Sequence, residues 1–337
     1  MTVGARQICR VATILLTVFA TLLGCRSQGP SDNRGIAAVR PLTLRTFART
    51  PERVSRGSYL VNGPGACFYC HATSDVKKAG WPPVPGTEGS GSDYAFWGQP
   101  GQVAPNITPD PDTGAGTWTD DMLARAIREG VAHDGHFLDP SVMPYEFYRA
   151  MSDEDLASVI VYLRSIPPVR NALPSPKTRN NLVTPYAVPI TSPIPEPDLS
   201  TPEKRGAYLV RIAGCQWCHT LRDVDRRSLP GLEFAGGDLI TNTYSEASCA
   251  NITPDPSGIS YYDEAQFLRT IRTGRVGARQ ISSNMPWWYF AHLNDEDLKS
   301  VFSFLRTVKP VHHRVDNTEP VAYCRRCGRK HAGGALN

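Results

Sequence analysis

The chain has 337 residues, 41% hydrophobic and 20% charged, which leaves room for about two domains of roughly 100–200 residues and excludes general disorder. Net charge is +4, and two of those charges, Arg6 and Arg10, fall in an N-terminal leader without acids. The +2 that remains, with no basic run interleaved with aromatics, excludes nucleic acid as the expected partner.

Arg6 and Arg10 precede a 13-residue apolar run, Val11 to Leu23. That run is too short for the roughly 20 helical residues a bilayer requires. It ends in LLGC, which resembles a bacterial lipobox with small Gly24 before the cysteine. The leader is therefore expected over residues 1–24, with Cys25 lipidated and anchoring the chain to a membrane without spanning it. A simple secretory signal or signal anchor, with Cys25 incidental, is the alternative. Residues 25–50 read as a tether, and Arg26 leaves the choice of membrane open.

The rest of the chain says most things twice. RGSYLV at 56–61 returns as RGAYLV at 205–210, CFYCH at 67–71 as CQWCH at 215–219, and NITPDP at 106–111 again at 251–256. MPY at 143–145 returns as MPW at 285–287, and SDEDLASVIVYLRSIPPV at 152–169 as NDEDLKSVFSFLRTVKPV at 294–311. A single duplicated unit is implied, at 51–169 and 203–315. Between the repeats lies a connector, assigned to 170–202, in a stretch with ten prolines from Pro167 to Pro202. It must be extended, either along a surface or as a semi-rigid spacer.

The signals within a repeat are helical. One helix covers RGSYLV and runs toward the first cysteine. A second is expected from Thr119 to Glu129, stopped by Gly130, with a twin from Asp263 to Thr273 stopped by Gly274. A third starts on Ser152 as N-cap, with acids in its first turn and Leu156, Val159, Ile160 and Leu163 at helical spacing; Asn294 opens its twin. No alternating strand pair competes. The expected class is all-α, two tandem helical domains with long Gly/Pro-rich loops, too thin in core to dispense with a staple.

C-x-x-C-H supplies one. Two thioether bonds to haem vinyl groups need two sulfurs on one turn, and the adjacent histidine then lies beneath the ring. A thioredoxin-type pair would want a βαβ context, and a zinc finger a second ligand pair; neither accompanies these motifs. Two covalently bound haem c groups are expected, on Cys67, Cys70 and His71 and on Cys215, Cys218 and His219. After His219 the chain holds one methionine, Met285, and the repeat pairs it with Met143, the other methionine followed by proline. Both are expected as axial thioether ligands. His133 and His136 remain competing ligands for the first haem alone, since the second repeat has no histidine there.

RGxYLV, C-x-x-C-H, NITPDP, a helix ending in glycine, MPY and SDEDL together resemble the cytochrome c superfamily. They are similar in particular to the multihaem c-type cytochrome subunits of bacterial membrane-bound alcohol, aldehyde and sugar-acid dehydrogenases. The resemblance implies His71 with Met143, and His219 with Met285, as axial pairs. It also places the NITPDP loops near the haem edges, which makes Asn106, Thr108, Asn251 and Thr253 candidates for propionate contacts. Those subunits often carry three haems where this chain has two motifs.

The C-terminal tail, 316–337, falls outside the pattern. Its CRRCGRKH, residues 324–331, is not a third haem motif, because Gly328 stands where histidine is required. A strained disulfide, a weak metal site with His331, and a basic tail with accidental cysteines are all open. Cys249, where the first repeat has Ala104, is free to pair with Cys324 or Cys327. The function expected is electron carriage between a periplasmic donor, such as a dehydrogenase, and a respiratory acceptor, with no substrate position on either iron. Phe68, Trp217, Trp287 and Trp288 would dry the haem edges. The alternatives are a dihaem peroxidase-like enzyme using His133, Asp134 and His136, and a haem-based sensor or structural lipoprotein.

Overall fold

Each repeat opens and closes with a helix, and the two cross where a glycine lets them touch. The computed structural model describes residues 39–93, 101–175, 189–223 and 227–337; the leader and Cys25 lie outside the described residues. Helix α1 (Pro51–Asn62) starts on the Thr50 cap with proline at its first position, and α5 (Pro202–Ile212) starts in the same way on Thr201. Helix α4 (Asp153–Leu163) is capped by Ser152, and α9 (Asp295–Thr307) by Asn294. α1 packs on α4, and α5 on α9. A Cβ at Gly57 would stand 2.0 Å from the Ser158 carbonyl oxygen, and one at Gly206 would stand 1.9 Å from that of Ser300. The glycine of RGxYLV is thus the crossing point of a helix pair.

Helix α2 (Asp120–Glu129) and its counterpart α7 (Glu264–Thr273) end as expected in left-handed Gly130 and Gly274. Short helices α3 (Tyr145–Tyr148) and α8 (Trp287–Phe290) follow the Met-Pro pairs, and α6 (Cys215–His219) carries the second C-x-x-C-H motif. Gly130 and Gly274 have a second duty. A Cβ there would come within 2.3 Å of the Tyr145 and Trp287 rings respectively, so each ring lies flat against a helix end.

Short strands accompany the expected helices. Among the described residues, four antiparallel ribbons pair β1 (Ser92–Asp93) with β2 (Val103–Ala104), β3 (Leu239–Thr241) with β4 (Glu246–Ser248), β5 (Arg275–Val276) with β6 (Arg279–Gln280), and β7 (Val321–Tyr323) with β8 (Lys330–Ala332). Each strand is two or three residues long, too short for an alternating pattern to register. The frame is helical, and the ribbons fasten loops.

Both repeats lie within one compact unit, Ala37–Asn337, and they meet through contacts that are duplicated like the sequence. Tyr208 Oη donates to Asp155 Oδ2 of the first repeat at 2.6 Å, and Tyr59 Oη donates to Asp297 of the second. Each carboxylate also accepts from its own repeat: Asp155 from Arg56 at 2.7 and 2.9 Å, and Asp297 from Arg205 at 3.1 Å. Each phenol oxygen in turn accepts the backbone N–H at the other repeat's N-cap, Ser152 N–H to Tyr208 at 3.3 Å and Asn294 N–H to Tyr59 at 3.2 Å. Burial raises both phenol pKa values, so the tyrosines are neutral donors.

The described flanking segments are docked. Arg40 forks onto Asp121 at 2.8 and 2.9 Å and reaches Glu129 at 3.0 Å, so the expected tether is fastened to α2 from that point. The described end of the connector takes the surface-hugging option: Ile194 exchanges backbone and side-chain bonds with Asp153 at 2.9 and 3.2 Å.

Two outcomes are expected from urea unfolding of the purified protein. Gly206→Ala forces α5 and α9 apart and lowers stability by about 1–3 kcal/mol, as overpacking does. Tyr59→Phe and Tyr208→Phe each remove one donor from a buried carboxylate and cost about 1–3 kcal/mol.

Candidate functional site

Left-handed residues introduce both C-x-x-C-H motifs, Ala66 at φ 43° and Gly214 at φ 65°. They turn the chain out of the preceding helix and into a tight coil. Cys67–Tyr69 forms a 3₁₀ turn, and His71 N–H bonds to the Cys67 carbonyl at 3.0 Å. In the second repeat α6 holds the whole motif. Two sulfurs and a ring therefore leave one turn in each repeat.

The histidine rings are held identically. His71 Nδ1 donates to the Pro105 carbonyl at 2.8 Å, and His219 Nδ1 donates to that of Ala250 at 2.7 Å. A proton fixed on Nδ1 leaves Nε2 as a lone pair, the arrangement of a metal-bound histidine oriented by a backbone partner. Burial lowers both pKa values and keeps the rings neutral. Burial also pushes the Cys67 and Cys215 thiols up to about 12.

The Met-Pro pairs line the same cavity as the two motifs. Pro144 and Pro286 cap α3 and α8, and the N–H groups of Tyr145 and Trp287 return to the methionine carbonyls at 2.8 and 2.7 Å. With Tyr145 and Trp287 clamped against Gly130 and Gly274, the backbone of the methionine two residues earlier is held in place.

All eight residues, Cys67, Cys70, His71, Met143, Cys215, Cys218, His219 and Met285, line one continuous, mostly apolar cavity of about 1320 Å³. Single-ligand pockets run to roughly 300–1,000 Å³, so this one exceeds the space for a single group. The fit to haem is good on three counts: two cysteines on one turn in each repeat, tautomer-fixed imidazoles and a mostly apolar cavity that these residues share with the methionines.

No protein-family model matches the chain. Among curated proteins it is 29% identical over 293 residues to the "Diheme cytochrome c-type" protein of Cereibacter sphaeroides, covering 82% of this chain and 94% of that one. It is 27% identical over 306 residues to the fructose dehydrogenase cytochrome subunit of Gluconobacter japonicus, covering 84% of this chain and 58% of that one. It is 27% identical over 276 residues to the gluconate 2-dehydrogenase cytochrome c subunit of Pantoea cypripedii, covering 76% of this chain and 59% of that one. The chain is a homologue of c-type cytochromes. It spans nearly all of the dihaem relative and little more than half of the two dehydrogenase subunits.

Within this chain the repeats meet beside the candidate haem ligands. Tyr69, inside the first motif, donates to the Ser283 and Asn284 carbonyls at 2.8 and 3.1 Å, directly before Met285, and meets the Tyr289 ring edge-on at 5.9 Å. Trp217, the equivalent of Tyr69, meets Phe147, the equivalent of Tyr289, edge-on at 6.2 Å. Each attachment turn thus leans on the other repeat's methionine segment. Neither contact was legible in the sequence, although the paired aromatic positions hinted at it.

The NITPDP loops border the cavity through Ile107, Asn251, Ile252 and Pro256, and their asparagines are bonded within the chain. The Asn106 side chain accepts from Thr108 N and Oγ1 and donates to Thr113 Oγ1 and the Val169 carbonyl, at 2.7–3.2 Å. Asn251 repeats the pattern with Thr253, Ser257 and the Val311 carbonyl. Val169 N–H and Val311 N–H bond back to Thr108 and Thr253 at 3.1 and 3.2 Å. The asparagines' hydrogen-bonding capacity is filled inside the chain. They lock the loop that offers its carbonyl to His71 or His219 against the exit of the last helix.

Two further expectations find their places. His136 lines the cavity with Nδ1 on Asp134 at 2.5 Å, whereas His133 stacks flat on Trp118 at 4.3 Å. Cys249 is a free thiol beside Cys218 rather than paired with a tail cysteine. Among the described residues, no helix is long and apolar enough to cross a membrane.

Asn251→Ala should lower the thermal stability of the holoprotein by the equivalent of about 1–3 kcal/mol, because it removes the buried amide that donates to the Val311 and His313 carbonyls. The haem optical spectrum should stay unchanged. A propionate contact would instead appear as a shifted reduction potential, measured by titration.

Proposed function

We propose that the chain is a dihaem c-type cytochrome built as two tandem cytochrome c-like domains, 51–169 and 203–315. Two haem c groups would be bound covalently, one on Cys67 and Cys70 with His71 and Met143 axial, the other on Cys215 and Cys218 with His219 and Met285 axial. The observation that carries this reading is the duplicated set of carbonyl-tethered histidines and proline-aimed methionines around one cavity.

When bound, each haem supplies a one-electron iron couple, and a thioether ligand favours its reduced form. The chain's own residues do the rest. Pro105 and Ala250 carbonyls hold the imidazoles in the ligating tautomer. Tyr148, donating to the Gly65 carbonyl at 2.8 Å, walls the first site, and its burial raises its pKa and keeps it neutral. With both axial positions filled by side chains, neither iron would offer a substrate position, and the protein carries electrons rather than transforming a molecule.

Its donor would be a periplasmic dehydrogenase or a similar redox protein, by analogy with the dehydrogenase cytochrome subunits it resembles. Its acceptor would be a respiratory component. Export to the bacterial periplasm and lipidation at Cys25 would confine this traffic to a membrane surface. The placement of His136 at the cavity, with Nδ1 on Asp134, favours a second reading, a peroxidase-like enzyme, in which those residues would serve O–O cleavage at the first haem.

The deciding measurement is the ferric optical spectrum of wild type beside Met143→Ala and Met285→Ala. Wild type should show the weak far-red sulfur-to-iron band, and each variant should lose about half of it, because each removes one of two equivalent thioether ligands. A high-spin or bis-histidine component in wild type, with peroxide turnover, would favour the enzyme instead.

A further inference from the structure

The tail left unexplained by the repeats carries a site of its own. β7 and β8 pair with Tyr323 opposite Lys330, so residues 324–329 form the hairpin turn. Cys324 N–H bonds to the Arg329 carbonyl at 2.8 Å, and Gly328 N–H bonds to the Cys324 carbonyl at 2.9 Å. Gly328 is left-handed at φ 69°, which closes the turn and leaves the two cysteines facing one side. His331 projects from β8 to the same place. The fourth member, His313, arrives from the extended segment after α9; the first repeat has Asn171 at that position.

The ligand atoms of His313, Cys324, Cys327 and His331 all lie within 4.8 Å of one another. His313 Nε2 and His331 Nε2 are 3.1 Å apart, and Cys324 Sγ is 3.7 Å from His313 Nε2. A tetrahedral zinc ion with bonds of about 2.3 Å to sulfur and about 2.0–2.1 Å to nitrogen requires edges of about 3.3 Å between nitrogens and about 3.6 Å from nitrogen to sulfur. Those edges match the cluster. His313, Cys324 and His331 are 0% exposed and Cys327 is 9% exposed.

The ring orientations point the same way independently. His313 Nδ1 is on the Ala235 carbonyl at 2.9 Å, and His331 Nδ1 is on the Ala332 carbonyl at 3.0 Å. With both protons on Nδ1, two Nε2 lone pairs face each other in a pocket lined by Leu221, Leu232 and Val311. They repel unless a cation lies between them. A Cys324–Cys327 disulfide, which an exported chain permits, would leave that repulsion in place.

We propose that His313, Cys324, Cys327 and His331 form a closed structural zinc site. Two thiolates and two imidazoles leave no position for substrate, and a tetrahedral sulfur–nitrogen set suits zinc. The site pins the hairpin to the second haem pocket. Ala332 N–H bonds to Ser248 Oγ at 2.9 Å, and Asn317 bonds to the Ser248 backbone at 2.8 and 2.9 Å; Ser248 and Asn317 both line the cavity. The metal would be the second repeat's staple beyond its haem.

The test is elemental analysis and zinc-edge X-ray absorption on the full-length holoprotein, where haem iron does not interfere. One zinc per chain with a shell of two sulfurs and two nitrogens is expected. Cys324→Ser combined with Cys327→Ser should bring zinc to background while keeping the haem spectrum. Absence of zinc together with a Cys324–Cys327 disulfide in peptide mapping would overturn the assignment. So would zinc bound only through oxygen and nitrogen, or another metal in its place. The wild-type measurement stands alone if the double variant fails to fold.

Discussion

Two buried carboxylates hold the architecture together. Asp155 and Asp297 sit in the first turns of α4 and α9, where the helix dipole favours negative charge, and both are 3% exposed. A buried charge must be paired or it costs several kcal/mol. Each is paired twice, by an arginine of its own repeat and by a tyrosine of the other. The arginine ties the last helix to the first within a repeat, and the tyrosine ties repeat to repeat. One side chain thus sets both the internal crossing and the interface, and the attachment turns inherit their positions from both.

From that frame the candidate haem sites follow with little freedom left. The close crossing at Gly57 and Gly206 fixes the helix pair, and left-handed Ala66 and Gly214 start the attachment turns. The NITPDP loops, locked to the exits of α4 and α9, then deliver a carbonyl to each histidine. Most bonds near the sites are backbone-derived, so the geometry tolerates wide side-chain divergence between repeats while keeping ligand aim.

Much of this was legible in the sequence. The caps at Ser152 and Asn294, the stops at Gly130 and Gly274 and the attachment motifs all carry local signals, since each depends on neighbours within a few residues. The hidden part is what depends on residues far apart in the chain. Tyr59 and Tyr208 read as ordinary members of a helical motif, and nothing local says that each serves the other repeat. NITPDP read as a cofactor contact through the family resemblance, and its duplicated asparagines also form a backbone lock that no local signal announced. The tail was ambiguous for the same reason: CRRC and His331 are close in sequence, but His313 joins them only through the fold, two residues after a repeated valine.

The reciprocity of the interface has a consequence for either half taken alone. When residue i of one repeat grips residue j of the other, and j's twin grips i's twin, the buried face is nearly complementary to itself, as in a two-fold dimer. A polypeptide carrying a single repeat would expose that face, and the surface that fits it best belongs to another copy. The covalent connector therefore replaces a concentration: it makes intramolecular, and permanent, an association that the half-sized chain would have to find by diffusion.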